Sequence, residues 1–128
     1  MAVFLLDTNI IIDALNKKKN RGTLLEDLLN HDNLLACCPI NIAEVYAGLR
    51  ADEETDTEKF LESLRYYPIT WSAARLAGFL KRDYSKKGKT LSVPDTIIAA
   101  VAIENGLLLI TDNVKDYPMK EVKLYPLK

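Results

Sequence analysis

The sequence predicts an α/β fold: a three-layer α/β/α sandwich with a mainly parallel central sheet. Short apolar runs (AVFLL, NLLACC, LLLI) alternate with amphipathic segments, the pattern of strands covered on both faces and joined by helices. Four acidic residues, Asp7, Glu44, Asp95 and Asp112, stand where a strand ends or a helix begins. In parallel sheets that rim is where ligands bind, outside the carboxyl ends of the strands.

Residues 2–6 form the first strand, ended by Asp7. Residues 8–15 read as a helix that Asp7 or Thr8 can cap. Leu24, Leu25, Leu28 and Leu29 give the next segment a helical apolar stripe. The second strand covers residues 33–38 and stops at Pro39. A helix is expected from Asn41 to about Arg50, and another from Glu58 to Tyr66 with Phe60, Leu61 and Leu64 inward. Residues 67–70 are expected as a short third strand. Residues 71–86 form a long helix with Ala74, Leu76, Ala77 and Leu80 on its apolar side. Gly88 interrupts the chain, and Pro94 suits a first helical turn. The apolar helix 95–105 ends at Gly106, a left-handed cap. Residues 107–110 are the fourth strand. Residues 122–125 are a fifth at the sheet edge, where Pro126 is tolerated.

A chain of 128 residues has the size of one domain, here residues 1–128, with no internal repeat or linker. Hydrophobic residues make up 48% and charged residues 27%, enough to build a core and unlike a disordered chain. The only cysteines, Cys37 and Cys38, are neighbours on a strand and point to opposite faces. With no disulfide framework and no leader pattern, a cytoplasmic location is expected. No apolar stretch approaches the about 20 residues of a membrane span, so no membrane partner is expected.

A net charge of −1 predicts no bulk attraction to nucleic acid, yet the charges are grouped. Lys17, Lys18, Lys19 and Arg21 form one basic run; Lys81, Arg82, Lys86, Lys87 and Lys89 form another. Asp52, Glu53, Glu54, Asp56 and Glu58 form an acidic block between them. Such runs are commonly solvated surface. The functional reading is a basic rim that holds a phosphate backbone around an acidic centre.

Each of the four acids has an ordinary structural role open to it. Asp7 can cap a helix. Glu44 follows Asn41 by three residues, close to a capping box. Asp95 in a first helical turn is favoured by the helix dipole, and Asp112 in Thr-Asp-Asn can close an Asx-turn. Their shared rim supplies the second reading. A nest of carboxylates stays ionised near neutral pH only with a cation among them. Hard Mg²⁺ or Mn²⁺ takes oxygen ligands, commonly one or two carboxylates plus waters that further acids hold. Such an ion eases the deprotonation of water and offsets charge in phosphodiester cleavage. His31, the only histidine, lies beside a polar turn and is expected at the surface.

At these junctions the residues resemble the PIN-domain family, most closely its ribonuclease toxins of the VapC type. The landmarks are Asp7-Thr8-Asn9 after the first strand, Glu44 in NIAEVYAGL, Pro94-Asp95 opening an apolar helix, and Thr111-Asp112-Asn113 followed by Lys115-Asp116-Tyr117. The resemblance runs over nearly the whole chain. It implies an α/β/α sandwich, Mg²⁺- or Mn²⁺-dependent endoribonuclease activity on RNA, frequent homodimers, and a small antitoxin protein that blocks the site. It implies Asp7 and Asp95 as primary metal ligands and Glu44 as a third acid acting directly or through water. Asp112 is chosen as the fourth site residue because it follows its strand at once, with Asn113 and Asp116 competing for the place. Thr8 and Thr111 are candidates to orient a ligand or phosphate, and Asn9 to orient Asp7; Asp13 is read as non-catalytic. Tyr46, Phe60, Tyr66, Tyr67, Trp71 and Phe79 are candidates for a dimer interface or for the core.

Two signalling or hydrolase alternatives fit the residues less well. A phospho-accepting receiver domain needs paired acids after its first strand, where Asp7 has no acidic neighbour. A haloacid-dehalogenase-like phosphatase needs Asp-x-Asp, where this chain has Asp7-Thr8-Asn9. A third alternative is a PIN-like module that binds RNA or protein without cleaving.

Overall fold

A computed structural model describes residues 1–127. Its sheet has five strands in the order β3-β2-β1-β4-β5, all parallel. The strands are β1 (Val3–Leu6), β2 (Leu34–Cys37), β3 (Arg65–Tyr66), β4 (Leu108–Ile110) and β5 (Lys123–Leu124). The helices are α1 (Thr8–Leu15), α2 (Arg21–Asn30), α3 (Pro39–Ala47), α4 (Glu54–Glu62), α5 (Trp71–Lys86) and α6 (Val93–Asn105). None of them is long and apolar enough to cross a membrane.

The chain begins at the centre of the sheet, steps outward through β2 to β3, then returns to lay β4 on the other side of β1. That reversal opens a crevice at the carboxyl ends of β1 and β4. The alternation of a pleated strand fills two cores. Leu5, Ala36 and Leu109 face the layer of α5 and α6, with Ala73, Ala77, Leu80 and Ile98. Phe4, Leu6, Leu35 and Ile110 face α1, α2 and α4, with Ile10, Ile11, Leu25 and Leu61. Leu5 and Leu6 are both fully buried, one in each core, so truncating either to alanine costs about 2–5 kcal/mol.

The helix at 71–86 and the left-handed cap at Gly106 (φ 64°) stand where the sequence places them. Other boundaries move for local reasons. α3 starts at Pro39 rather than Asn41, because proline needs no partner in a first turn. α4 ends at Glu62 instead of Tyr66, and the third strand is Arg65–Tyr66 rather than 67–70. Tyr67 donates one last bond to the Cys37 carbonyl, but Pro68 has no N–H to continue, and the Thr70 hydroxyl already caps α5 by accepting from Ala73 N–H. On α5 the inward residue is Ala73; Ala74 is exposed. Leu29, read as part of the α2 stripe, is 49% exposed.

Candidate active site

Asp7 closes the ladder of β1 and opens α1. Its N–H donates to the Ile110 carbonyl at 2.9 Å, so the backbone is still paired to β4 when the side chain turns into the crevice. Asp7 Oδ1 accepts from Thr8 N–H at 2.9 Å, the helix cap expected of it. Oδ2 accepts from the Thr111 hydroxyl at 2.7 Å. A carboxylate has about four lone-pair positions, so each oxygen keeps one for a further partner.

Glu44 comes from the middle of α3. The capping box suspected for it is filled by another residue: Asn41 Oδ1 accepts from Cys38 N–H at 2.8 Å. Asn41 is fully buried, and its Nδ2 donates to the Thr8 hydroxyl at 3.1 Å. Thr8 in turn donates to Glu44 Oε1 at 2.6 Å. Glu44 is thereby released from capping and tied to the start of α1.

Asp95 is the third residue of α6, behind the Ser92 cap whose hydroxyl accepts from Asp95 N–H at 3.2 Å. Burial first, and then the negative charges of Asp7 and Asp116, raise its carboxyl above the ordinary Asp range; hydrogen bonding to Ser92 and Tyr117 acts against this. The Tyr117 hydroxyl donates to Asp95 Oδ1 at 3.3 Å. That ring is 2% exposed, and burial together with the charges of Asp7 and Asp95 keeps the phenol protonated as a fixed donor.

Asp7, Thr8, Asn9, Glu44, Asp95 and Asn113 line one cleft of about 220 Å³. Asp112 departs from the expectation of four converging acids. Its carboxylate is paired with Arg21 of α2 at 2.5 Å and lies on a neighbouring hollow. The physical reason is the turn after Thr111. Asn113 N–H donates back to the Thr111 hydroxyl at 2.9 Å, which puts Asn113 on the cleft and leaves Asp112 facing the guanidinium. Asp116, in a single 3-10 turn, is close enough to raise Asp95. Asp13 pairs with Lys19 at 3.6 Å.

Two polar residues of this network, Asn41 and Tyr117, escape the sequence reading as functional positions. Asn41 had a visible signal, an Asn at the third position after the residue preceding Pro39. Tyr117 had none beyond standing in the landmark run, since only the fold turns its hydroxyl toward two acids.

The donor set is hard oxygen from carboxylates, with an amide at Asn113. That fits a small hydrated cation held by one or two carboxylates. It does not make a closed cage: among the described residues no three acid, thiol or imidazole groups are disposed to enclose an ion.

A family model described as PIN domain matches residues 4–122. Ribonuclease VapC19 of Mycobacterium tuberculosis is 32% identical over 115 residues, which span 90% of this chain and 92% of that protein. Ribonuclease VapC2 of Rickettsia felis is 27% identical over 120 residues, 90% of each. Among solved structures, VapBC2 from Rickettsia felis bound to a DNA fragment from their promoter superposes with a TM-score of 0.86 at 25% identity, covering 98% of this chain and 99% of that one. A toxin–antitoxin complex from Klebsiella pneumoniae superposes with a TM-score of 0.77 at 30% identity, covering 95% of each.

Proposed function

The chain belongs to the PIN-domain family, and from that premise we propose that it is a ribonuclease toxin of the VapC type, cleaving RNA internally with Mg²⁺ or Mn²⁺. The observation that carries this reading is the convergence of Asp7, Glu44 and Asp95, from three separate elements, on one cleft. Membership of this family sets aside the receiver-domain alternative.

Asp7 and Asp95 would hold the cation, with Glu44 acting through water. When bound, the ion supplies Lewis acidity: it eases the loss of a proton from water and offsets charge on phosphate oxygens. The residues of the chain do the rest. Thr111 and the Thr8 N–H fix the Asp7 carboxylate, leaving one lone pair on each oxygen toward the cleft. Glu44 Oε1 accepts from Thr8 and Oε2 has no such bond, so Oε2 is the more basic oxygen and the one assigned to accept a proton from the attacking water. Tyr117 holds Asp95 in orientation. Asn113 replaces Asp112 as the polar residue of the β4 turn that faces the substrate.

The relatives whose structures are toxin–antitoxin complexes support a small antitoxin as partner. A homodimer is also proposed; exposed Tyr46 and Tyr66, beside the β3 edge of the sheet, provide aromatic surface for it. The proposed compartment is the cytoplasm, where unpaired Cys37 and Cys38 persist.

The test is cleavage of a total RNA pool by protein freed of any antitoxin. Mg²⁺ or Mn²⁺ should support cleavage and a chelator should stop it. Asp7→Asn and Asp95→Asn should lose cleavage while remaining folded. Undiminished activity in those variants rejects the site, and undiminished activity in chelator rejects the cation. Absence of cleavage under every condition leaves the binding-module alternative.

A further inference from the structure

We propose that the outer face of α5 is the surface that binds single-stranded RNA and leads it toward the acid cleft, an inference that rests on the nuclease reading of that cleft. Trp71, Arg75, Phe79, Arg82 and Lys86 recur at spacings of four, four, three and four, which places them in one stripe along the helix. All five are exposed. Trp71 is 86% exposed at the first turn. The guanidinium groups of Arg75 and Arg82 lie 4.8 and 4.6 Å from the Phe79 ring centroid. Flat aromatic and guanidinium groups beside positive charge are what single strands use, since every base has a face to stack and every phosphate a charge to pair.

Charge and direction support the same occupant. Between residues 71 and 89 stand Arg75, Lys81, Arg82, Lys86, Lys87 and Lys89 against one acid, Asp83, in a chain whose net charge is −1. Asp83 is paired with Arg82 at 3.1 Å. α5 runs antiparallel to α6: Thr70 and Ser72 hydroxyls donate to Glu104 near the end of α6, and the Lys81 ammonium to the Leu91 carbonyl just before its start. The basic end of α5 therefore lies at the Asp95 end of α6, beside the cleft. The stripe from Trp71 to Lys86 is about 22 Å long at a rise of about 1.5 Å per residue, enough for several nucleotides.

A second copy of the chain is the rival occupant. A twofold contact through this face would bring the cationic stripe of Arg75, Arg82 and Lys86 against the same stripe of the other copy, a meeting of like charges that costs affinity. Phosphate answers those charges directly.

Trp71 is the only tryptophan, so its emission reports on this face alone. Short oligouridylate titrated into the protein in chelator should quench it to saturation. Arg75→Gln with Arg82→Gln should weaken binding at least about tenfold and reduce the slope of log affinity against log salt by about 1.4, two charges at about 0.7 each. Lys59→Gln with Lys120→Gln removes the same charge elsewhere and should weaken binding far less. Absent quenching, or equal losses in the two double variants, overturns the proposal. So does a concentration-dependent blue shift of Trp71 without RNA, which would give the face to a second copy. The two readings fail separately. Quenching without any cleavage in Mg²⁺ or Mn²⁺ removes the nuclease and keeps the track; cleavage with Trp71 undisturbed does the reverse.

Discussion

Thr8 donates its hydroxyl to Glu44 Oε1 at 2.6 Å, joining the first residue of α1 to the middle of α3. The direction of that bond is fixed from behind. Asn41 Oδ1 is held by Cys38 N–H, so its Nδ2 must be the group facing Thr8, and the threonine proton is left for Glu44. One buried amide thus sets the orientation of an acid it does not touch.

Replacing Asn41 tests its two roles. Asn41→Ala leaves Cys38 N–H buried without a partner and should lower stability by about 1–3 kcal/mol in urea unfolding. RNA cleavage should fall about 10–100-fold, as when a partner behind a ligand is lost. Asn41→Asp keeps an acceptor for Cys38 but as a carboxylate cannot donate to Thr8, and because the site is fully buried it should lose stability along with rate. Thr8→Ser, which retains the hydroxyl, should stay near the parent in both. Parent-like cleavage by Asn41→Asp would show that Glu44 needs no such orientation.

The legible parts of this molecule are those written in short stretches of sequence. Apolar runs marked β1, β2 and β4, and the bounds of α5 were correct at both ends, though Ala73 rather than Ala74 begins its buried face. Asp7 and Asp95 were legible as one rim because the first follows a strand and the second opens a helix; Glu44 reaches the same cleft from the middle of α3, once that helix starts at Pro39. What was lost depended on contacts across the fold. β3 was misplaced because two residues of pairing leave no pattern, and Pro68 was read into it. Asp112 was misdirected because Arg21, ninety-one residues away, decides which way it faces. Asn41 was hidden because capping by Glu44 and capping by Asn41 look alike until the helix start is known.

Asp95 makes the fold sensitive to pH. Its carboxyl is raised above its ordinary value of 3.8, by burial and then by the charges of Asp7 and Asp116. A raised acid favours the folded state when protonated, so its contribution is complete below the unfolded value and is lost as pH rises through the folded one. Metal-free protein should therefore melt higher as pH falls from neutral toward the upper edge of the carboxylate range. Asp95→Asn should flatten that rise and melt above the parent at neutral pH while losing cleavage. A cation that binds here should reverse the deficit in the parent, by about 2.7 kcal/mol at a hundredfold excess over Kd. Thermal melts with and without Mg²⁺ or Mn²⁺ measure both. An Asp95→Asn variant that melts below the parent in chelator would mean the carboxylate is not under strain from its neighbours.

Cys37 and Cys38 are both buried, and burial, followed by the neighbouring Cys38, pushes the Cys37 thiol up to about 11. Only thiolates react readily, so neither should be alkylated in the folded protein at neutral pH. Iodoacetamide should leave cleavage intact and label both residues only in denaturant, as read by mass spectrometry. Rapid labelling of native protein with loss of activity would bring a thiol into the chemistry.

Arg21 and Asp112 decide the remaining question about the acids. Their side chains are 13% and 23% exposed, and Arg21 also reaches the Lys19 carbonyl at 3.4 Å while its Nε is buried with no hydrogen-bond partner among the described residues. Asp112 therefore balances a charge that has little water to fall back on, and its loop carries Thr111 to Asp7 and Asn113 to the cleft. Asp112→Asn should lower stability by about 1–3 kcal/mol, between a surface pair and a buried one. Its cleavage should stay within about tenfold of the parent, whereas Asp7→Asn should lose at least about a hundredfold. Arg21→Gln should copy the stability loss, and adding it to Asp112→Asn should cost little more, because the pair is already broken. Measuring unfolding and initial cleavage rates on the parent and these four variants separates a clamp from a ligand. If Asp112→Asn is folded and as inactive as Asp7→Asn, the carboxylate leaves Arg21 during the reaction and belongs to the acid site after all.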